Sequence, residues 1–400
     1  MDDGRGTMLR WSSRRDPSLL TSMTADPHLP APLPDSLGFS PSREIASWVG
    51  HLALATTWCV RHPMEPFAEH AKGSALEPVY YRAADGWEAP LWRLPPRPGA
   101  SGEPIVLAHA LGSSLRVMDW SPESSLVRRL HRSGFDVYLF EHRGDPSARP
   151  PVRPGPADLD AIIAEDIPAA LERVRALSGY PRTLWLGHGF GGQLAYAYLS
   201  LGGSSDLAAA VTVGAPVRFE RAASRARLAA RALRLLPPGL RLPTRRLTQV
   251  CAPLYHEGLR EHGLSKDTSG PRARGLMVQG VADLSTGLLR QAARWIESGT
   301  LCDREDQLDY VAALSGKRIP ILGVAAHGDP LCRPWAAWPA LDAMAPADVE
   351  RLELDDTWGH LDPLVGERAE LEVMPVLEDF LDRQRRRCRA PRGPAALLQR

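Results

Sequence analysis

The stretch Gly187-His188-Gly189-Phe190-Gly191-Gly192 follows the apolar run Leu184-Trp185-Leu186 directly, the spacing of a buried strand turning sharply into a helix. A serine or cysteine at the centre of such a turn is held up as a nucleophile for acyl transfer. The central residue here is Gly189, which has no side chain to attack with. The partners of that chemistry are nevertheless present, in chain order. Asp329 lies in Ala326-His327-Gly328-Asp329-Pro330 behind the apolar run Ile319–Ala326, and His360 lies in Thr357-Trp358-Gly359-His360-Leu361-Asp362 behind Val349–Leu354. The aspartate would orient the imidazole and stabilise its cation, while the histidine would serve as general base. Taken singly, an Asp in a Gly-Asp-Pro turn is a turn former and a lone His is structural. Their order behind successive strands makes them a constellation.

Acyl chemistry also needs donors for a developing oxyanion. The Phe190 backbone N–H, directly after the vacant position, is one candidate, and Leu111 in His109-Ala110-Leu111-Gly112 is the second, with Ala110 as the alternative. Backbone donors survive side-chain replacement, so binding of a carbonyl or anion is compatible with Gly189. A displaced nucleophile would have to come from Ser113, Ser114 or Cys332, none of them well placed by sequence. Five cysteines without C-x-x-C spacing argue against a disulfide framework or a cysteine zinc site, and neither a metal nor a cofactor is expected.

These residues need an alternating scaffold. Strands are expected at Ile105–His109, Val137–Glu141, Thr183–Leu186, Ala209–Val213, Ile319–Ala326 and Val349–Leu354, after a hairpin over Val79–Arg93 that turns at Ala84-Asp85-Gly86. Helices are expected at Ser124–Ser133, at Ile167–Leu177 begun by Asp166, at Gly191–Leu201, and as one long terminal helix over Pro363–Gln384. Such alternation implies an α/β fold, a mostly parallel sheet covered by helices on both faces. Residues 217–309 interrupt it with proline-punctuated helical segments, read as an inserted cap; Met277–Trp295 forms its second helical region. The core is accordingly expected over residues 75–216 and 310–385. Residues 1–38, rich in Pro, Ser, Asp and Arg, are expected to be disordered, residues 39–74 to form a helical segment, and residues 386–400 a solvated basic tail.

Composition excludes more than it names. With 48 basic against 47 acidic residues the net charge is +1, so no global field attracts nucleic acid or an acidic membrane. All basic residues except Lys72, Lys266 and Lys317 are arginine, a bias that lowers the weight of any one arginine cluster. One such cluster is the amphipathic helix carrying Arg221, Arg225, Arg227, Arg231 and Arg234, whose plainest reading is a solvated face and whose sharper ones are a site for an acidic head group such as a CoA phosphate or contact with a membrane surface. No run reaches the roughly 18 apolar residues of a membrane span, and Met1–Arg5 lacks a secretory start, so a cytoplasmic protein is expected.

The elbow, Asp329 and His360 resemble the α/β-hydrolase superfamily over roughly residues 75 to 382. Within it, Met118–Arg128 followed by Ser133–Leu139 is similar to the corresponding stretch of poly(3-hydroxyalkanoate) synthases, which use an elbow cysteine with Asp and His partners on hydroxyacyl-CoA. His360–Gly366 is similar to acid-lipase-like hydrolases. Glycine at the elbow resembles the N-myc-downstream-regulated proteins, regarded as non-hydrolytic. These resemblances imply an acyl, ester or acyl-CoA-like ligand. They leave three functions open: a non-catalytic or degenerate hydrolase binding such a ligand or a partner, a non-covalent hydrolase or lyase using the Asp329–His360 dyad, and an esterase, lipase or acyltransferase with a displaced nucleophile.

Overall fold

The computed structural model describes residues 7–10, 75–120, 125–220, 224–246 and 279–391. The helix expected within 39–74, Cys59 and Cys251 lie outside them, as does most of the segment 1–38. Eleven strands are described: β1 Thr7–Arg10, β2 Glu77–Arg82, β3 Glu88–Leu94, β4 Pro104–Ala108, β5 Asp136–Phe140, β6 Thr183–His188, β7 Leu207–Val213, β8 Arg241–Leu242, β9 Leu284–Ser285, β10 Ile321–Ala326 and β11 Val349–Leu354. Nine of them form one sheet in the order β1-β11-β10-β7-β6-β4-β5-β3-β2, and β8 pairs with β9. The pairs from β1 across to β5 are parallel, while β2 and β3 add the antiparallel hairpin expected from the Asp85-Gly86 turn.

Parallel strands buried on both faces read as continuous apolar runs, and β4, β5, β6, β7 and β10 are buried at every position. Two apolar clusters cover the faces, one containing Trp185, Phe190 and Trp295, the other Phe135, Trp358 and Phe380. The helix Phe190–Ser200 (α1) leaves the elbow and is buried along its whole length. It sits so close to the sheet that a Cβ on Gly191 would lie 2.1 Å from the Ala108 carbonyl oxygen, so only glycine fits. Ordering β4 beside β6 and setting β10 and β11 beyond β7 brings four carboxyl ends to one edge. In open α/β sheets, that edge is where sites form.

The structure departs from the sequence reading in several places. Thr7–Arg10, within the segment expected to be disordered, pairs in parallel with Glu350–Glu353 through backbone bonds that require no apolar period. Asp166 does not cap the helix Ile167–Ser178 (α2); a π-helical turn over Ile162–Asp166 leads into it, and the buried carboxylate pairs with Arg143 instead. The terminal helix is divided into Asp362–Val365, Ala369–Glu372 and Met374–Gln384 (α3), with Gly366 leaving helical geometry after the first. The basic tail is partly docked: Cys388 is fully buried, Arg385 binds Glu103 at 2.8 Å, and its guanidinium lies 3.6 Å from the centre of the Phe135 ring. Arginine stems cover apolar surface while their heads find carboxylates, which a count of positive charges cannot foresee. Within the region Met277–Trp295 expected to be helical, the helix Thr286–Ser298 (α4) follows β9, and residues 277 and 278 lie outside the described ones. Among the described residues, no helix is long and apolar enough to cross a membrane.

Candidate functional site

β6 runs straight into the turn, and Gly189 takes φ 52° and ψ −112°, a left-handed conformation strained for any residue with a Cβ. Its carbonyl starts α1 by accepting the Gln193 amide. A Cβ built on Gly189 would stand 3.4 Å from His360 Nε2 and 2.9 Å from the Ala110 methyl carbon. The histidine therefore faces the place where a nucleophilic side chain would begin. The Ala110 methyl partly occupies that place.

Asp329, behind β10, and His360, behind β11, meet at 2.7 Å between Oδ2 and Nδ1. The other carboxylate oxygen of Asp329 accepts the Leu331 and Cys332 amides at 2.7 and 2.9 Å. Burial raises the Asp329 pKa, but the His360 charge, its hydrogen bond and these two amides outweigh burial and hold the carboxyl below its ordinary range. Gly214 makes room for the ring: a Cβ there would lie 3.0 Å from His360 Cε1. The His360 loop is fixed by Asp362, fully buried, which accepts the Gly359 amide at 2.5 Å. Among the described residues His360 Nε2 has no hydrogen-bond partner, and the residue retains 7% exposure.

Leu111 and Phe190 follow β4 and β6, so both oxyanion candidates reach the same edge. Phe190 is the first residue of α1, where the N–H has no acceptor within the helix. The Leu111 N–H donates to no other backbone group among the described residues. Ala110 turns out to matter through its methyl group. The side chains proposed as displaced nucleophiles are engaged elsewhere: Ser114 accepts the Arg116 amide as a helix cap, and Ser113 donates to the Ser114 carbonyl. Cys332 has no exposed surface, and burial together with Asp329 pushes its thiol well above the ordinary range, far from a thiolate.

Sequence reasoning missed three neighbours of this site. His188 lies 4.5 Å from His360 ring to ring and is pushed down to about 3 by burial and by His360, so the neutral ring donates Nε2–H to the His360 carbonyl at 3.1 Å. His142 stacks on His109 and sets its ring edge-on to Phe190. Asp145 completes a buried group: among the described residues, His109, His142 and Asp145 are ligand-type side chains whose donor atoms lie within 4.8 Å of one another. Internal pairing accounts for them. Asp145 Oδ2 accepts the His142 amide at 2.7 Å and faces His109 Nε2 at 3.3 Å. The signal was available in Glu141-His142-Arg143-Gly144-Asp145, polar residues immediately behind a fully buried strand.

Burial alone would depress His109, but the charge and hydrogen bond of Asp145 overcome it and hold the imidazole at about 9. A folded-state value above the ordinary 6.5 gives stability that is complete below pH 6.5 and is lost as pH rises through 9. Calorimetric unfolding across pH 6.5 to 9.5 should show a decline on the order of 3 kcal/mol. The decline should be missing in His109→Gln; equal slopes for the two proteins would contradict this pairing.

Residues 103–367 match the family described as alpha/beta hydrolase fold, and the chain belongs to that family. Among solved structures it resembles the monoacylglycerol lipase of Paleococcus ferrophilus, with 19% identity over 73% of this chain and 98% of that one and a TM-score of 0.51. A thermophilic esterase from Thermogutta terrifontis is similar at 17% identity, over 78% of this chain and 100% of that one, TM-score 0.51. The enol-lactonase from Burkholderia xenovorans LB400 is similar at 17% identity, over 76% of this chain and 100% of that one, TM-score 0.51. These likenesses are of fold. No curated protein sequence matches the chain.

Proposed function

We propose that this protein is a degenerate α/β hydrolase that binds an acyl-type ligand or a partner and does not form an acyl-enzyme. The observation that carries the reading is Gly189 itself, held at φ 52° with His360 Nε2 3.4 Å from the position of the absent Cβ. Covalent catalysis needs an atom there that can attack, and the nearest atom filling the space is the Ala110 methyl carbon. An acyl ligand is favoured by the resemblance to ester- and thioester-using enzymes and by structural neighbours described as lipase, esterase and lactonase.

The formed dyad supports a second reading, in which His360 activates water or removes a substrate proton beside the Phe190 and Leu111 amides. Hydrolysis of a panel of aryl and thioester substrates separates the two. On the proposal, the purified protein and His360→Ala give the same background rate. A rate in the native protein that falls at least about 100-fold in His360→Ala, within the range general-base catalysis supplies, would establish the second reading and end the first.

A further inference from the structure

A cavity of about 440 Å³ lies away from the elbow, lined by neither Gly189 nor His360, and its wall is rich in arginine. Arg143, Arg234, Arg241, Arg290, Arg294 and Arg304 line it against a single carboxylate, Asp158. Three of the six are neutralised: Arg143 by Asp85 and Asp166, Arg234 by Glu297, and Arg304 by Asp158 and Asp160. Arg241, Arg290 and Arg294 have no carboxylate partner among the described residues. Two of these are nevertheless held in place. Arg241 donates to the Asp145 carbonyl at 2.8 Å, and Arg290 donates to the Leu236 carbonyl at 2.6 Å and also to that of Arg234.

A guanidinium anchored on a carbonyl keeps its full charge and leaves other N–H groups of its fork to bind something else. Like charges gathered in one concavity raise its potential, and a bound anion relieves their repulsion. Part of the wall is stiff: Pro150, Pro154, Pro156 and Pro238 lie in it, so less ordering is required on binding. The volume falls within the roughly 300 to 1,000 Å³ of small-molecule sites.

We infer that this cavity binds a small soluble ligand through a phosphate or diphosphate group, at a site separate from the elbow. Phosphate suits the wall better than a single carboxylate does, because it brings up to two negative charges and several acceptor oxygens to three uncompensated forks. The inference goes beyond the proposed function and does not depend on whether His360 acts.

Isothermal titration of the full chain with pyrophosphate and orthophosphate at low ionic strength tests it. Saturable binding at one site is expected, weakened at least about tenfold in Arg290→Gln and again in Arg294→Gln, since each removes a charge-assisted contact. Arg82→Gln, at an exposed arginine elsewhere, should bind as the native protein does. Absence of saturable binding would overturn the inference. So would undiminished binding by a double Arg290→Gln, Arg294→Gln variant with native circular dichroism, tighter binding of citrate than of pyrophosphate, or binding confined to phosphatidate vesicles.

Discussion

Arg143→Ala is expected to cost about 3–5 kcal/mol of stability, the loss seen when one partner of a buried ion network is removed. The Arg143 side chain has no exposed surface and forks onto Asp166 at 2.7 Å and Asp85 at 2.6 Å, with a further bond to the Pro156 carbonyl. Burial already pushes Asp166 up to about 6, against the opposing pull of Arg143, so without the guanidinium its charge would stand uncompensated in the core. Arg143→Lys should rescue little, because one ammonium cannot reproduce two forked contacts. Acidification supplies an independent check. In the variant, Asp166 is raised further above its ordinary 3.8, so stability should recover as pH falls from 7 toward 5. An unfolding free energy from denaturant titration within about 1 kcal/mol of native, the value of an ordinary surface pair, would show that the network is not structural.

Gly189→Ser should destabilise the fold by roughly 1–3 kcal/mol from backbone conformation alone, and further through contact with Ala110. The new Cβ would come within 2.9 Å of the Ala110 methyl, closer than such atoms approach, so one residue must yield. Ala110→Gly should therefore be costly alone but should restore part of the stability lost in Gly189→Ser. The double variant should be more stable than the sum of the two single effects allows, a coupling of the kind seen between residues in contact. Additive effects would mean that Ala110 and position 189 do not share this space.

Much of this site could be read from the chain because it follows from strand order. Apolar runs of five or six residues with polar punctuation placed β4, β5, β6, β7, β10 and β11 to within a few residues, and the turns behind them carried Gly189, Asp329 and His360. What could not be read was lateral. Nothing in Asp166 itself distinguishes a helix cap from a buried partner of Arg143, 23 positions earlier. Nor does Ala110 reveal that its methyl enters the elbow, since that depends on the ordering of β4 beside β6. The His109, His142 and Asp145 group required two strand ends to be adjacent. Arg385 and Cys388 were hidden by composition, because a run of arginines reads as solvated until Glu103 and Phe135 are seen beneath it.

The central claim is that the chemical machinery is aimed at an empty position, and labelling with a fluorophosphonate probe, which reports an activated serine, tests it most directly. The native protein should remain unlabelled at saturating probe, while the Ala110→Gly, Gly189→Ser double variant should label at position 189, with the label lost on further His360→Ala substitution. Stoichiometric labelling of the native protein at Ser113, Ser114 or any other serine, dependent on His360, would contradict the account.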